Sequence, residues 1–157
     1  MTEPSDGSVL DPIGDTRTFL ETLVKRRPSL WTMSACGVTR SGAQIPALID
    51  ADAYIPTATR ARVLLISGLS GTATDVEQAL GALDMFASGG QRYAVDIALS
   101  AIPCGNPEGL LTGRGRGNAS GGDPRTGYPP EGDYYNHDND PESRYLWRWI
   151  CFQAPDL

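Results

Sequence analysis

The chain has 157 residues, of which 40% are hydrophobic and 20% charged, so it can bury one sizeable core but is too short for two full domains. Its formal net charge of −6 argues against nucleic acid or an anionic membrane as a partner, because both repel an acidic surface. The chain shows neither a signal segment nor an apolar run long enough to span a bilayer, which predicts a cytoplasmic protein without a membrane partner.

The amino-terminal residues predict a lead-in followed by a helix. Residues 1–14 are rich in Ser, Gly, Pro and Asp, which indicates a flexible lead-in to a folded part over residues 15–157. Asp15 or Thr16 can cap a helix with one apolar face, and this helix should end before Pro28.

The next residues carry the signals of strands. Alternation over 30–38 and 44–49 predicts a β-hairpin at a sheet edge, where Pro46 is tolerated. The continuous apolar run over 62–67 is typical of a central strand covered on both faces. After a helix, a second run over 93–102 completes a βαβ unit, so these two strands should be parallel. The order of elements predicts an α/β fold, a three-layer sandwich with a mixed, mainly parallel sheet.

The last third of the chain predicts a long loop and a closing helix. Residues 103–139 are rich in Gly, Pro, Asn and Asp, and a loop of this length in a compact domain is usually functional or disordered. The order Asp140, Pro141, Glu142 places a cap, a first-turn proline and a first-turn acid at the start of a helix that ends before Pro155.

The turn after the central strand carries no reactive group. Gly68–Gly71 lacks the second glycine of a nucleophile elbow and the Gly-Lys-Ser/Thr ending of a phosphate-binding loop. Two interpretations remain for the hydroxyls of Ser70 and Thr72: they cap the following helix, or they contact a ligand at the rim of the turn.

Few other residues suggest a site. His137 is the only histidine and has no paired ligand at a metal-binding spacing. Arg114 and Arg116 lie among glycines and either bind an anion or belong to a flexible run. The cysteines match no metal or redox spacing, which favours free buried thiols at positions Cys36, Cys104 and Cys151.

Several motifs in order resemble the zinc carboxypeptidase family, the metallocarboxypeptidases, from about residue 16 to the end. In that family a helix ending "hPsL" precedes the turn "G-x-S-x-E-G-R-x-I-P", which Arg27–Leu30 and Gly37–Pro46 match here. The family's "G-G-x-H-G-x-E" after a buried strand is similar to Ser67–Ala73. Its "hP-x-x-N-P-D-G" is similar to Ile102–Gly109.

The likeness continues towards the carboxyl end of the chain. The family's "G-x-D-L-N-R-N-F-P" lines up with Gly121–Pro129, and its "E-P-E" and "P-D-L" with Asp140–Glu142 and Pro155–Leu157. The resemblance implies the amino-terminal half of a metallocarboxypeptidase-like fold, truncated after Leu157.

The resemblance also implies a degenerate zinc site. In the family the turn after the central strand gives a His and a Glu to a catalytic zinc, and these positions are Ser70 and Ala73 here. A hydroxyl is a poor zinc ligand near neutral pH and a methyl group is none. The third ligand, the general-base Glu and the substrate-closing Tyr of the family lie beyond Leu157, so we assign no catalytic or metal-binding residue and no cofactor to this chain.

Substrate contacts are the remaining candidates. The arginine of the family's "E-G-R" turn is Ala43 here, and the Asn-Arg pair that clamps a substrate carboxylate lines up with Arg125 and Thr126. Arg125 could bind a carboxylate bidentately. The predicted substrate-binding residues are therefore Arg125, Ser70 and Thr72, and the expected partner is the carboxylate of a peptide or acyl-amino acid.

Three functional hypotheses follow. The leading one is a degenerate, inactive metallocarboxypeptidase-like domain. The first alternative is a working zinc peptidase or amidohydrolase that takes its ligands from a missing carboxyl-terminal half or from another chain. The second alternative is a non-enzymatic interaction module whose incomplete sheet is completed by a partner or by self-association.

Overall fold

The computed structural model describes residues 12–89, 91–113, 115, 117–126, 128–129 and 140–157. The helices in this part of the chain are α1 (Pro12–Arg26), α2 (Ala73–Ser88), α3 (Gln91–Ala94), α4 (Pro107–Thr112) and α5 (Pro141–Gln153). The strands are β1 (Trp31–Val38), β2 (Gln44–Asp50), β3 (Ala61–Ile66) and β4 (Ile97–Ile102).

The described strands form one mixed sheet in the order β1-β2-β4-β3. β1 and β2 are the predicted antiparallel hairpin, and β3 and β4 pair in parallel along their whole length. β2 meets β4 antiparallel at Leu48 and Ala101. The sheet is mixed as predicted, with parallel pairing limited to β3 and β4 among the described strands.

Helices cover both faces of the sheet, which confirms the three-layer arrangement. On one face, α1 and α2 bury a cluster that includes Leu20, Leu23, Leu83 and the sheet residue Trp31. On the other face, α5 contributes Leu146 and Trp149 to a cluster with Cys36, Ile45, Ala47 and Ile102. Burial of this apolar surface is the main favourable term in the free energy of folding.

Close packing of α5 on the hairpin depends on one glycine. A Cβ atom placed on Gly37 of β1 would lie 2.2 Å from Cγ of the Tyr145 ring. Because no side chain fits there, the helix lies directly against the strand backbone.

Some elements differ from the prediction. α1 begins at Pro12, inside the predicted lead-in, and the short helices α3 and α4 occupy segments predicted as strand and loop. Asn106 caps α4: its Oδ1 accepts a hydrogen bond from the Gly109 N–H at 2.9 Å, and Pro107 and Glu108 follow as the first helical residues. This is the same cap, proline and acid order that predicts α5.

The positions of two strands also differ. β2 lies inside the sheet and not at its edge, so Pro46 is buried; it lies opposite Ala35, next to a β-bulge that interrupts the regular ladder. β3 is an edge strand among the described elements, whereas the apolar run predicts a central one. Both faces of β3 contact a core cluster, yet its residues from Arg62 to Ile66 stay partly exposed because one side is open.

The open side of β3 has a short contact with the end of the chain. The Leu64 N–H donates to the Leu157 carbonyl at 3.1 Å, and the Leu157 N–H donates to the Arg62 carbonyl at 3.3 Å. This alternation is the pattern of a parallel ladder centred on Val63.

The cysteines are all free, and two of the three are buried as predicted. Burial raises the pKa of the Cys36 and Cys104 thiols to about 12, so both are inert as thiolates. The prediction is wrong for Cys151, which is exposed on α5. Within the described residues no helix combines the length and the apolar character that crossing a bilayer requires.

Candidate functional site

The site begins at the turn between β3 and α2, where the carboxyl ends of β3 and β4 meet. The Gly105 N–H donates to the Ser67 carbonyl at 2.8 Å, and the Asn106 N–H donates to the Gly68 carbonyl at 3.2 Å. Gly68 and Gly71 both have φ of +68°. A Cβ on Gly71 would lie 2.7 Å from the Gly109 carbonyl carbon, so glycine is required both by backbone angle and by space.

The hydroxyl groups of this turn bond to one another and to α2. Ser70 Oγ lies 2.9 Å from Thr72 Oγ1 and donates to the Asp75 carboxylate. It also accepts from the Thr72 N–H at 3.3 Å. Thr72 is the N-cap residue of α2, although its side chain makes no capping bond. Ser70 therefore already has partners within its own turn.

Ala73 begins α2, three residues after Ser70. Its side chain lines a cavity of about 290 Å³ bounded by residues of α1, α2 and α4, and Ser70 is not among the lining residues. Of the two positions that the resemblance pairs as zinc ligands, only Ala73 lines this cavity.

The residues present do not fit the zinc that the fold family implies. Ser70 is engaged by Asp75, and Ala73 has no donor atom. No group of three or more His, Cys, Asp or Glu in the described part of the chain could hold a metal ion. His137, Arg114 and Arg116 lie outside the described residues.

Two asparagines tie this turn to the following segment. Asn106 Nδ2 donates to the Leu69 carbonyl at 3.2 Å and to the Gly117 carbonyl at 3.1 Å. Asn118 Oδ1 accepts from the Ser120 N–H at 3.0 Å and the Gly122 N–H at 2.8 Å, so it closes a turn of its own. Sequence reasoning missed both roles, although the Asn106–Pro107 order signals a helix cap.

Two buried glutamates flank these asparagines. Glu142 is fully buried; its Oε2 accepts from Asn118 Nδ2 at 2.8 Å, and its Oε1 has no partner among the described residues. Burial, reinforced by the charges of Glu108 and Asp140, raises the pKa of Glu142. Burial acts in the same direction on Glu108, but hydrogen bonds, chiefly from the Ser41 N–H at 2.8 Å, hold the pKa of Glu108 below its usual value.

The predicted carboxylate contact, Arg125, is ion-paired within its own turn. Its Nε and Nη2 donate to the Asp123 carboxylate at 2.8 and 2.6 Å. Its side chain is 37% exposed. Thr126, in place of the family's arginine, donates from Oγ1 to the Asp123 carbonyl at 3.3 Å. The guanidinium fork thus lies at the surface in the bidentate geometry that a carboxylate requires.

The arrangement of sheet, helices and turn is that of the metallocarboxypeptidases. No protein-family model and no curated protein sequence matches the chain. The fold assignment therefore comes from solved structures, which share at most 21% sequence identity with the chain among those described below.

Three solved structures illustrate the match. A metallo-carboxypeptidase from Burkholderia cenocepacia superposes with a TM-score of 0.67 at 20% identity, over 85% of this chain and 36% of that one. A candidate metallopeptidase from Shewanella denitrificans gives a TM-score of 0.65 at 20% identity, over 92% of this chain and 50% of that one. Carboxypeptidase A from Helicoverpa armigera gives a TM-score of 0.50 at 21% identity, over 59% of this chain and 23% of that one. The chain thus spans half or less of the length of these structures.

Proposed function

We propose that this chain is a metallocarboxypeptidase-like domain that performs no zinc-dependent hydrolysis, and that it acts in the cytoplasm as a binding scaffold. The proposal rests on Ser70 and Ala73, the two positions that the resemblance pairs as zinc ligands. Ser70 is bonded to Asp75 and Thr72, and Ala73 lines a separate cavity between α1, α2 and α4. A zinc-bound water needs ligands that lower its pKa and a base that takes its proton, and the described residues supply neither constellation.

Metal content tests this proposal directly. The purified chain is dialysed with and without zinc and measured by elemental mass spectrometry, beside His137→Ala as a control for adventitious binding by the only histidine. The expected result is less than stoichiometric zinc, with no release of carboxyl-terminal residues from peptides. Equimolar zinc that survives in His137→Ala, together with chelator-sensitive peptide hydrolysis, overturns the proposal.

The ligand of the scaffold is proposed to be the carboxylate of a peptide or acyl-amino acid, with Arg125, Ser70 and Thr72 as its contacts. The bond between Arg125 and Asp123 supports this assignment because it presents the guanidinium in bidentate geometry. It also means that a ligand must displace Asp123.

Two variants make this test sharp. Asp123→Asn weakens the internal competitor and should raise the affinity for an N-acetyl amino acid, whereas Arg125→Ala should abolish binding, both measured by calorimetry. The amide of the same amino acid is the matched control ligand and should not bind. Equal binding of acid and amide, or no effect of Arg125→Ala, contradicts the assignment.

An active zinc peptidase is the second candidate, with ligands from outside these 157 residues. The contact of Leu157 with β3 favours it, because a strand continuing in that parallel register runs towards the turn at Gly68–Thr72. Stoichiometric zinc in a longer form or a complex, and none in the isolated chain, would support this candidate. The absence of zinc in both would exclude it.

The third candidate is a non-enzymatic interaction module. Its motivation is the open edge of β3, where apolar residues remain partly exposed. Backbone groups on such an edge can pair with a strand of another molecule.

A further inference from the structure

A cavity of about 290 Å³ lies between α1, α2 and α4, beside the amino end of α2. Most of its wall is apolar and consists of Phe19, Val76, Leu80 and Leu110, with the Ala73 methyl group at one side. Its volume suits a small organic molecule, and its wall favours one with an apolar body.

Two carboxylates line the same cavity. Asp15 lies on α1 and Glu77 on α2, and both residues are largely exposed. Within the described residues, neither carboxylate makes an ion pair or a hydrogen bond, and no Lys or Arg lines the cavity. The nearest arginine along α1, Arg17, pairs with Glu21 and bonds to Gln44. Among the described residues, the cavity therefore combines an apolar wall with two carboxylates that have no cation beside them.

The interaction of an acidic side chain with the helix dipole explains the position of only one of these two residues. Asp15 lies in the first turn of α1, where an acid offsets the helix dipole. Glu77 lies beyond the first turn of α2, so the dipole gives no reason for a carboxylate at the mouth of an apolar cavity.

We propose that this cavity binds an amine with an apolar body, whose ammonium group pairs with the carboxylates of Asp15 and Glu77. The apolar part displaces water from Phe19, Leu80 and Leu110, and the two acids select a cation over neutral or anionic molecules of the same size. The proposal is independent of zinc chemistry and of the carboxylate site proposed at Arg125. The groups that pair with the amine are Asp15 and Glu77, and neither takes part in those two proposals.

Three probes of nearly equal size test the selectivity: 2-phenylethylamine, 2-phenylethanol and 3-phenylpropionate. Binding is followed by methyl NMR signals of Leu80 and Leu110. The amine should bind about fivefold more tightly than the alcohol, in the upper range for exposed ion pairs, and the acid should bind least. Equal affinity for amine and alcohol overturns the proposal.

Matched charge variants separate a built site from general attraction to an acidic protein. Glu77→Gln and Asp15→Asn should each weaken amine binding about twofold, since together they supply the fivefold preference, while leaving the affinity for the alcohol unchanged. Asp96→Asn removes the same single charge at the amino end of β4, away from the cavity, and should have no effect. An equal loss in all three variants, or no signal change at millimolar amine, contradicts the assignment.

Discussion

At the scale of single residues, the ionisation of Glu142 makes the stability of the fold depend on pH. Because burial raises its pKa above the usual 4.5, the folded chain holds this proton more tightly than the unfolded chain does. The stability that Glu142 contributes is fully present below pH 4.5. It is lost as the pH rises through the pKa of Glu142 in the folded chain. We expect Glu142→Gln to unfold at higher urea concentration than the parent chain at pH 8, and at a similar concentration near pH 4.

Glu108 is the matched control because its pKa is shifted in the opposite direction. Hydrogen bonds that favour its ionised form contribute stability above its usual pKa of 4.5, and this stability is lost as the pH falls. Glu108→Gln should therefore lose about 1 kcal/mol of unfolding free energy at pH 7, the worth of a hydrogen bond, and little at low pH. If both variants show the same pH profile, the two assigned shifts are wrong.

At the scale of elements, the turn between β3 and α2 should be the segment least tolerant of substitution. Gly71→Ala adds both left-handed strain and an overlap with the Gly109 backbone, so we expect a loss of about 3 kcal/mol. Gly42→Ala is the control: its φ is +85° but no atom lies within 4 Å of the added Cβ, so about 1 kcal/mol is expected. Urea unfolding measures both, and equal losses would contradict the packing argument.

The opposite end of the sheet is held by Arg60. Its guanidinium bonds to the carboxylates of Asp50 and Asp52 and to the carbonyls of Ala94 and Ile97, which joins the end of β2 to the start of β4. The Asp50 side chain is completely buried, so removing Arg60 leaves a buried charge without its partner.

We expect Arg60→Met to lower the unfolding free energy by about 3 kcal/mol. Adding Asp50→Asn to this variant should restore part of the loss, because the uncompensated charge is then absent. Arg26→Met breaks an exposed pair with Asp84 and should cost less than about 1 kcal/mol. Thermal unfolding of the parent chain and the three variants measures these losses, and a greater loss for Arg26→Met than for Arg60→Met would refute the argument.

Sequence reasoning predicted well the helices and strands that have a pattern within their own residues. The hairpin, the βαβ unit and the start of α5 follow from alternation, apolar runs and the Asp140–Pro141–Glu142 order. The place of each strand in the sheet depends on pairing across the molecule, so the inner position of β2 and the edge position of β3 were not predictable from local patterns.

The candidate site was less accessible to sequence reasoning than the fold. That Ser70 and Ala73 are not zinc-binding residue types can be seen in the sequence. The pairing of Arg125 with Asp123 and the burial of Glu142 against Asn118 depend on how loops fold back, and no periodicity encodes that. The roles predicted for Arg125, Ser70 and Thr72 in substrate binding stay predictions.

At the scale of the whole molecule, the open edge of β3 predicts self-association. Its residues from Val63 to Ile66 are apolar and lie on both faces, whereas the other edge strand, β1, carries Thr32 and Ser34 and a bulge. We expect light scattering to show a mass that rises with concentration, and hydrogen exchange at the Ile66 amide to slow in parallel. The exposed amides of β1 are the internal control. A constant monomer mass, or slowing confined to β1, would argue against pairing through β3.

The bond between Asn118 and Glu142 has a practical consequence for making the protein. Asn118 begins an Asn-Ala-Ser glycosylation sequon, but its side chain is 5% exposed and its Nδ2 is the atom that would carry the sugar. A glycan added during passage through a eukaryotic secretory pathway would replace this donor with a bulky group inside the fold. The chain should therefore fold when made in a bacterial cytosol. A glycosylated form made in a eukaryotic secretory pathway should be retained inside the cell and degraded.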